Sequence, residues 1–389
     1  MKYQGKNVAV LGAGLSGTAA ALLLRSEGAD VTVLDSAEEK TLLKSTIENL
    51  RARGVAVRCG QEAETDSSNY DFVVLSPGID PISPLATNFS SRKIETMGEL
   101  ELGWRSVDLP VIAITGTNGK TTTTELLAQM LNGCGQSTIA CGNIGKPLCE
   151  VALEDRDLDV LTVEVSSFQL ETIRTFRPSI SVWLNFAPDH LDRYPSVAEY
   201  RAAKLRIFEN QTADDVAVVN AGETLPKIAA RTVTFSAYTD QADFRLEGGS
   251  IVYQNTPVLR MAETKLRGSH NIENLMATLA VGLARGLSFE EMLPPLCAYE
   301  PRPHRCEFVR ELGEVTYVND SKATNLAAVE KALLAQNKSV ILIAGGKDKG
   351  FTFETLLPLV SEKVRTTILI GEMAERIARD WKSGVPCEI

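Results

Sequence analysis

The sequence predicts an α/β protein of three domains, because apolar strands alternate with helices and the pattern starts anew near residue 106. Two glycine-rich turns carry the prediction: each joins a strand to a helix, one beginning at residue 12 and the other at residue 116. The 389 residues, 44% of them hydrophobic, are enough for two or three cores. We therefore expect a Rossmann-like N-terminal domain, a central P-loop ATPase-like α/β domain and a Rossmann-like C-terminal domain, at 1–108, 109–301 and 302–389.

The first glycine-rich turn resembles a nucleotide-binding turn. Gly12, Gly14 and Gly17 fit the pattern Gly-x-Gly-x-x-Gly, and Asp35 ends the next strand about 20 residues further on, where a Rossmann unit places an acid against a ribose. A dinucleotide or a UDP-sugar would suit it, since each places a diphosphate at a helix N-terminus. Packing without a ligand is the third interpretation. A Ser-Pro-Gly-Ile turn at 76–79 follows a further strand, at the end where open α/β sheets bind ligands.

The second glycine-rich turn is the most specific motif of the chain. An apolar strand runs into Gly116, and Gly119, Lys120 and Thr121 follow before the next helix. Backbone N–H groups of such a turn surround phosphate oxygens, the lysine supplies a cation, and the threonine offers a hydroxyl to Mg²⁺. Ile114 stands where the full pattern has glycine, so this is a shortened P-loop. We expect MgATP or MgGTP here, and a turn that serves packing alone is the less favoured alternative.

Polar residues follow the next two strands of the central region. Glu164 lies in an apolar strand, where a carboxylate is unfavourable unless a cation meets it. It is a candidate Mg²⁺ ligand, and the alternative is an acid that points to water. Asp189 and His190 end the following strand and suit metal or phosphate chemistry. Lys204 stands on a predicted helix between alanines and a leucine, and residue pattern alone favours a solvated surface cation.

Further polar clusters lie towards the carboxyl end. Asn271 and Asn274 begin a helix, where they could bond a base or ribose, although helix capping explains one of them as well. The turn at 319–325 combines an acid, a lysine and hydroxyls. Lys347 and Lys349 lie in a glycine-rich loop that suits an anionic ligand or is a simple exposed turn.

Composition excludes several classes of partner. The formal net charge of -10 argues against nucleic acid, and no apolar run reaches the roughly 18 residues of a membrane span. Seven cysteines without Cys-x-x-Cys spacing, and no secretory leader, favour a reducing cytoplasm. We interpret all seven as small buried hydrophobic residues. We expect a monomer.

Taken in order, these motifs resemble those of the Mur ligase family over essentially the whole chain. The first glycine-rich turn and the Ser-Pro-Gly-Ile turn bring the likeness nearest to members that add D-glutamate to UDP-N-acetylmuramoyl-L-alanine. Nine segments carry the resemblance: 12–17, 76–79, 116–122, 142–145, 164–169, 189–195, 268–274, 303–305 and 319–325.

The resemblance implies two nucleotide sites. The UDP part of the substrate would be held by Leu15, Ser16, Asp35, Ser36, Gly78 and Asn143. ATP would be held by Gly116, Thr117, Asn118, Gly119, Lys120, Thr121, Thr122, Asn271, Arg305 and Asp320. Ala37 stands where many members have arginine, so one charged contact to the UDP nucleotide is missing.

The resemblance also implies metal, catalytic and amino-acid sites. One Mg²⁺ would be bound by Thr121 and Glu164, and a second by His190 and Lys204. Lys204 would be carbamylated by CO₂, which conflicts with the interpretation of this residue as a surface cation. The amino acid would meet Thr324 and Lys349, with Lys347 as a close rival. The catalytic residues would be Lys120, His190, Lys204 and Lys322.

The implied activity is an ATP-dependent amide ligase of cytoplasmic peptidoglycan precursor synthesis, which works through an acyl phosphate. Relatives continue past Ile389 with a serine-containing segment that helps to bind D-glutamate, so we expect the third domain to be truncated. Three alternatives stay open. The first is a sister ligase such as folylpolyglutamate synthase, which would lack the N-terminal domain that contains the 12–17 turn. The second is an NAD-dependent oxidoreductase, which would leave the 116–122 motif unexplained. The third is a non-catalytic nucleotide-binding protein, which would bind ATP without turnover.

Overall fold

The amino-terminal part of the chain forms a five-stranded parallel sheet between two layers of helices. The computed structural model describes residues 1–154, 156–266 and 268–389. The elements of this first part are β1 Asn7–Leu11, α1 Leu15–Ser26, β2 Asp30–Asp35, α2 Lys44–Ala52, β3 Ala56–Cys59, α3 Gln61–Glu64, β4 Phe72–Leu75, α4 Pro84–Ser91, β5 Thr96–Gly98 and α5 Glu99–Arg105.

The strand order of the first sheet is β3-β2-β1-β4-β5, which places β1 in the middle. Val8 and Val10 pack on the face that α1 covers, whereas Ala9 and Leu11 belong to the core on the other face. A parallel strand that is buried on both faces has to be apolar throughout. Because β2 and β4 lie on opposite sides of β1, a crevice opens at the carboxyl end of β1.

The central part is built on a nine-stranded sheet. Its elements are β6 Val111–Thr115, α6 Lys120–Gly133, β7 Thr138–Gly142, α7 Leu148–Leu153, β8 Val160–Glu164, α8 Ser167–Leu170, β9 Ile180–Trp183, α9 Val197–Leu205, β10 Val216–Asn220, β11 Arg231–Ser236, β12 Phe244–Glu247, β13 Ser250–Tyr253, β14 Thr256–Arg260, α10 Ser269–Ala284 and α11 Phe289–Cys297.

The order of this sheet is β14-β13-β12-β11-β10-β9-β6-β8-β7, parallel from β7 to β12 and antiparallel from β12 to β14. Strand β6 therefore lies between β8 and β9, and the turn after it opens at the carboxyl edge of the sheet. Gly119 ends this turn with φ 84°, and a Cβ on it would lie 2.5 Å from Oδ1 of Asn274. Only glycine fits both the left-handed backbone and the space.

The carboxyl-terminal part contains a hairpin and a three-stranded parallel sheet. Its elements are β15 Glu307–Leu312, β16 Val315–Asn319, α12 Leu326–Leu334, β17 Val340–Gly345, α13 Leu357–Lys363, β18 Val364–Ile370, α14 Ala374–Trp381 and β19 Cys387–Glu388. Leu333, Val360 and Trp381 bring α12, α13 and α14 onto one core. Ile341 and Ile343, on alternate positions of β17, remain exposed.

The α/β class with three Rossmann-like or P-loop-like parts is confirmed, and one detail differs from expectation. The interpretation of all cysteines as buried is wrong: Cys141 and Cys149 are buried, while the other five are partly exposed. Among the described helices, none has the length and apolar character that crossing a membrane requires.

One buried carboxyl group couples stability to pH. Glu99 begins α5, which packs against α7, and its Oε1 accepts the backbone N–H of Cys149 at 2.7 Å. Burial raises the pKa of Glu99 from 4.5 to about 7. Between these two pH values the folded state holds a proton that the unfolded state releases. The contribution of Glu99 to the free energy of unfolding is therefore fully present below pH 4.5 and is lost as the pH rises through about 7.

Glu99→Gln is therefore expected to be more stable than the wild type at pH 8, by on the order of 3 kcal/mol, and similar to it at pH 4.5. Urea unfolding at both pH values, followed by tryptophan fluorescence, measures the difference. Glu62→Gln, at an exposed position on α3, is the control and should follow the wild type. Parallel pH dependence in wild type and Glu99→Gln would contradict the assignment.

Candidate active site

The turn between β1 and α1 is held by Asp35 at the end of β2. The backbone N–H of Ala13 donates to Oδ2 of Asp35 at 2.8 Å, and that of Ala37 donates to Oδ1 at 2.9 Å. The acid predicted to face a ribose thus also orders two turns. Ser76 Oγ is buried beside Gly12 and has no hydrogen-bond partner in the described part of the chain. That oxygen can still serve a ligand in the crevice.

The other residues predicted for UDP divide into two groups. Leu15, which is 78% exposed and begins α1, and the exposed Ser36 and Gly78 lie at the carboxyl edge of the first sheet. Ser16 is partly buried in the first turn of α1. Asn143 is elsewhere: it follows β7 of the central sheet, and its side-chain amide donates to Glu164 Oε1 at 2.7 Å. The structure thus places Asn143 beside Glu164, the predicted metal ligand.

The end of β9 fixes the conformation of the P-loop. Asn185 accepts the backbone N–H of Thr117 on its carbonyl at 3.0 Å and that of Asn118 on its side-chain oxygen at 2.9 Å. Thr117 Oγ1 is 3.0 Å from the carbonyl oxygen of Ala187. Asn185 was not among the predicted site residues. The available signal was an amide residue directly after an apolar strand that lies beside the P-loop strand.

Two lysines converge on one carbonyl of the P-loop. Lys120 Nζ donates to Gly116 O at 2.9 Å, and Lys204 Nζ reaches the same oxygen at 2.9 Å. Burial lowers the pKa of Lys120, and burial together with the charge of Lys120 lowers the pKa of Lys204 well below its usual range. Each amine is thereby closer to its neutral form than an exposed lysine would be.

The interpretation of Lys204 as a solvated surface cation is wrong. The residue is 2% exposed, and its Nζ lies 4.8 Å from the centre of the Tyr200 ring. Helix α9 turns its Tyr200–Lys204 side inward, towards the turn after β6. Ala202 and Ala203 before the lysine are compatible with either orientation, so tertiary packing decided which face is buried.

Glu164 offers an unused carboxylate oxygen next to the P-loop. It ends β8 in register with Ile114 of β6 and is 2% exposed. Oε1 accepts from Asn143, whereas Oε2 is buried and finds no hydrogen-bond partner among the described residues. A buried anionic oxygen of this kind fits a cation. Thr121 lies in the first turn of α6, the helix that the P-loop begins.

Three or more His, Cys, Asp or Glu side chains grouped as a metal site are not found in the described ranges. His190 lies in a left-handed turn with φ 56°, its ring 4.9 Å from that of Phe168. Burial lowers the pKa of His190, and the neutral imidazole that results is the form that binds metals.

A cleft between the central and carboxyl-terminal parts brings most of the remaining predicted ATP residues together. Asn118, Gly119 and Thr122 line it from the P-loop side. Residues of three other segments complete the lining: Asn271, Arg305, Asp320 and Lys322, together with His270, Asn274, Arg302 and Lys331.

His270 and Asp320, both in this cleft, have shifted pKa values. Burial lowers the pKa of His270 to about 4, so this imidazole is neutral at pH 7. Burial raises the pKa of Asp320, whose Oδ1 accepts the backbone N–H of Cys306 at 3.0 Å. Lys331, on α12, was not predicted from sequence, and no motif singles it out.

Direct contacts join the turn after β16 to the central part. Asn325 is 5% exposed, and its side-chain amide donates to Asn118 Oδ1 and to Asp189 Oδ2, each at 3.1 Å. Lys349 Nζ lies 3.5 Å from Asp189 Oδ1, whereas its rival Lys347 is exposed. Thr324 precedes Asn325 and is exposed. Of the two residues predicted to meet the amino acid, Lys349 thus contacts Asp189 directly, and Thr324 lies next to Asn325, which contacts Asp189.

Three protein-family models match successive parts of the chain. The descriptions are "Mur ligase MurD-like, N-terminal domain" for residues 6–98, "Mur ligase middle domain" for 114–282 and "Mur ligase, glutamate ligase domain" for 304–389. The P-loop, the end of β9 and the turn after β16 all lie in these ranges or at their edges. The chain belongs to the Mur ligase family.

Curated relatives of the chain carry the name of one particular Mur ligase. The UDP-N-acetylmuramoylalanine–D-glutamate ligase of Geobacter metallireducens is 41% identical over 98% of this chain and 86% of its own length. The enzyme of that name from Geotalea daltonii is 43% identical over 97% of this chain and 85% of its own. Among solved structures, the UDP-N-acetylmuramate–alanine ligase of Thermotoga maritima has a TM-score of 0.61 and 19% identity, covering 98% of this chain and 90% of its own. That structural likeness supports the fold.

Proposed function

We propose that the chain is an ATP-dependent ligase that joins D-glutamate to UDP-N-acetylmuramoyl-L-alanine in peptidoglycan precursor synthesis. The observation that carries the proposal is the convergence at the P-loop of Lys120, Lys204 and the unused oxygen of Glu164. Such a set suits phosphoryl transfer, in which catalysis is mainly positioning and charge neutralisation. Relatives named for this reaction, at about 40% identity over nearly the whole chain, support the choice of substrates.

In the first step the substrate carboxylate attacks the γ-phosphorus of ATP, so that an acyl phosphate forms and ADP leaves. Lys120, in the P-loop, neutralises charge on the transferred phosphoryl group. Backbone N–H groups of 116–122 hold the ATP phosphates, and the dipole of α6 favours them. Asn271, Arg305 and Asp320 hold the remainder of ATP in the cleft.

In the second step the amine of D-glutamate attacks the activated carbonyl. A tetrahedral oxyanion forms and collapses to the amide as phosphate leaves. Lys322 lines the cleft, and Lys349 reaches Asp189 of the central part from the glycine-rich loop. Thr324 would offer a hydroxyl. Cationic groups at these positions stabilise the developing negative charge. The contacts of Asn325 with the central part bring this turn to the P-loop and exclude water from the acyl phosphate.

Enzymes of this family use ATP with Mg²⁺. We propose Thr121 and Glu164 as ligands for one ion, and His190 with a carbamylated Lys204 for a second. Bound Mg²⁺ would supply positive charge to the phosphate oxygens. The lowered pKa of Lys204 suits carbamylation, because only the neutral amine adds to CO₂, losing a proton and gaining a negative charge.

The three parts of the chain then have separate roles, and we propose domains at 1–108, 109–301 and 302–389 for the UDP-linked substrate, ATP and the amino acid. Leu15, Ser16, Asp35, Ser36 and Gly78 would hold the UDP part at the crevice after β1. Asn143, beside Glu164 in the central part, would also contact the UDP-linked substrate. We further propose a monomer that works in the cytoplasm, where ATP and UDP-linked precursors are available.

The decisive experiment measures ADP release from MgATP and UDP-N-acetylmuramoyl-L-alanine. D-Glutamate, L-glutamate, L-lysine and meso-diaminopimelate are added in separate reactions, and one reaction omits the UDP-linked substrate. We expect ADP release only when D-glutamate and the UDP-linked substrate are both present. ADP release with another amino acid would make the chain a sister ligase. No ADP release in any reaction would contradict ligase activity.

A further inference from the structure

Arg193 connects the first sheet to the central part of the protein. Its Nη1 donates to the carbonyl oxygen of Pro77 at 2.9 Å, across 116 residues of sequence. Its Nη2 pairs with Glu171 Oε2 at 3.2 Å, and the arginine side chain is 16% exposed. The guanidinium carbon lies 3.9 Å from the centre of the Phe168 ring. One side chain thus connects the 76–79 turn to the 168–171 segment.

The two ends of this connection are functional segments of the proposed reaction. Pro77 belongs to the turn whose Gly78 we propose for the UDP-linked substrate. At the other end, the ring of Phe168 packs edge-on against His190, and the backbone N–H of Arg193 donates to His190 O at 3.0 Å. Movement of the 76–79 turn relative to the His190 turn would therefore break contacts of Arg193.

The chemistry of the contacts requires arginine. A planar guanidinium can donate to a carbonyl and a carboxylate in its own plane while its face lies on an aromatic ring. A lysine ammonium is a point charge and cannot keep this geometry. The low exposure of the side chain means that water replaces lost contacts poorly. Burial and geometry therefore make this link rigid.

We infer that Arg193 is a positioning residue that holds the 76–79 turn against the His190 turn, so that the UDP-linked substrate presents its carboxylate to the ATP site. The inference rests on the proposed function. It assigns no chemistry to Arg193 itself: the residue acts through Pro77 and Phe168. Affinity for the UDP-linked substrate should consequently depend on Arg193, and affinity for ATP should not.

The test compares Arg193→Lys with the wild type in the full chain. We expect the KM for UDP-N-acetylmuramoyl-L-alanine to rise about 10-fold, as for one lost hydrogen bond in a buried site, while the KM for ATP changes less than about 2-fold. Isothermal titration with the UDP-linked substrate alone should show the same rise in Kd. Glu171→Gln, which removes the charge that orients Nη2, should raise this KM about 3-fold.

Arg201→Lys is the matched control. Arg201 also has its guanidinium near an aromatic ring, Phe186, and donates to a backbone carbonyl, that of Thr224, but both partners belong to the central part. Its variant should leave both KM values unchanged. Equal KM increases for both substrates, or an unchanged KM for the UDP-linked substrate in Arg193→Lys, would overturn the inference. Absence of D-glutamate-dependent ADP release in the wild type would instead overturn the proposed function.

Discussion

Lys120→Ala is expected to lower the kcat of D-glutamate-dependent ADP release by about 10³-fold or more. In the proposed mechanism the ammonium group neutralises charge on the transferred phosphoryl group, and removal of such a charge typically has an effect of this size. The loop itself should keep its conformation, because Gly116 O retains the hydrogen bond from Lys204 and Asn185 still holds Thr117 and Asn118. Steady-state kinetics with saturating substrates measure the loss.

Lys120→Met separates charge from packing in this experiment. Methionine keeps most of the aliphatic chain and loses the ammonium, so its kcat should fall as far as that of the alanine variant. Lys227→Ala removes an exposed lysine of the same part of the chain and should behave as the wild type. If Lys120→Met retained more than about a tenth of wild-type kcat, the charge would not be the catalytic feature.

The fold could be predicted from sequence wherever strand, turn and helix follow each other directly. Strands β1 and β6 are short apolar runs that end at glycine, and their burial on both faces leaves no other interpretation. The antiparallel extension of the central sheet escaped prediction for the opposite reason. Strand β12 is only Phe244–Glu247 and is half exposed, so that its pattern does not differ from that of a loop.

The candidate site could be predicted where a motif is local, and not where contacts join distant segments. The P-loop residues follow one another in sequence, whereas Asn325 meets Asn118 across 207 residues and Arg193 meets Pro77 across 116. No spacing rule connects such pairs. Lys204 is the clearest case: its helix has alanines before the lysine, and only the packing of α9 onto the P-loop shows that the amine is buried.

Two amines that share one carbonyl oxygen present an electrostatic problem. The Nζ atoms of Lys120 and Lys204 both lie 2.9 Å from Gly116 O, and burial together with the charge of Lys120 lowers the pKa of Lys204. Both cannot be fully charged without strong repulsion in a buried region. Carbamylation of Lys204 would resolve the conflict, because it replaces one cation by an anion next to Lys120 and His190.

Lys204→Ala is accordingly expected to reduce kcat by about 10²- to 10³-fold, because the proposed carbamate and its proposed support of a second metal would both be lost. Acetate or propionate, small enough to enter the space left by the side chain, should restore part of the activity of the alanine variant. In the wild type, ¹³C-labelled bicarbonate should give a carbamate signal by NMR that Lys204→Ala lacks.

Lys204→Arg distinguishes the carbamate from a simple cation. Arginine keeps a positive charge and cannot form the carbamate, so it should be as inactive as alanine and gain nothing from acetate. Full activity in Lys204→Arg would mean that the residue acts as a cation towards Gly116 O. Rescue of the alanine variant by a carboxylate and not by an amine of the same size, such as ethylamine, would mean that negative charge is required at this position.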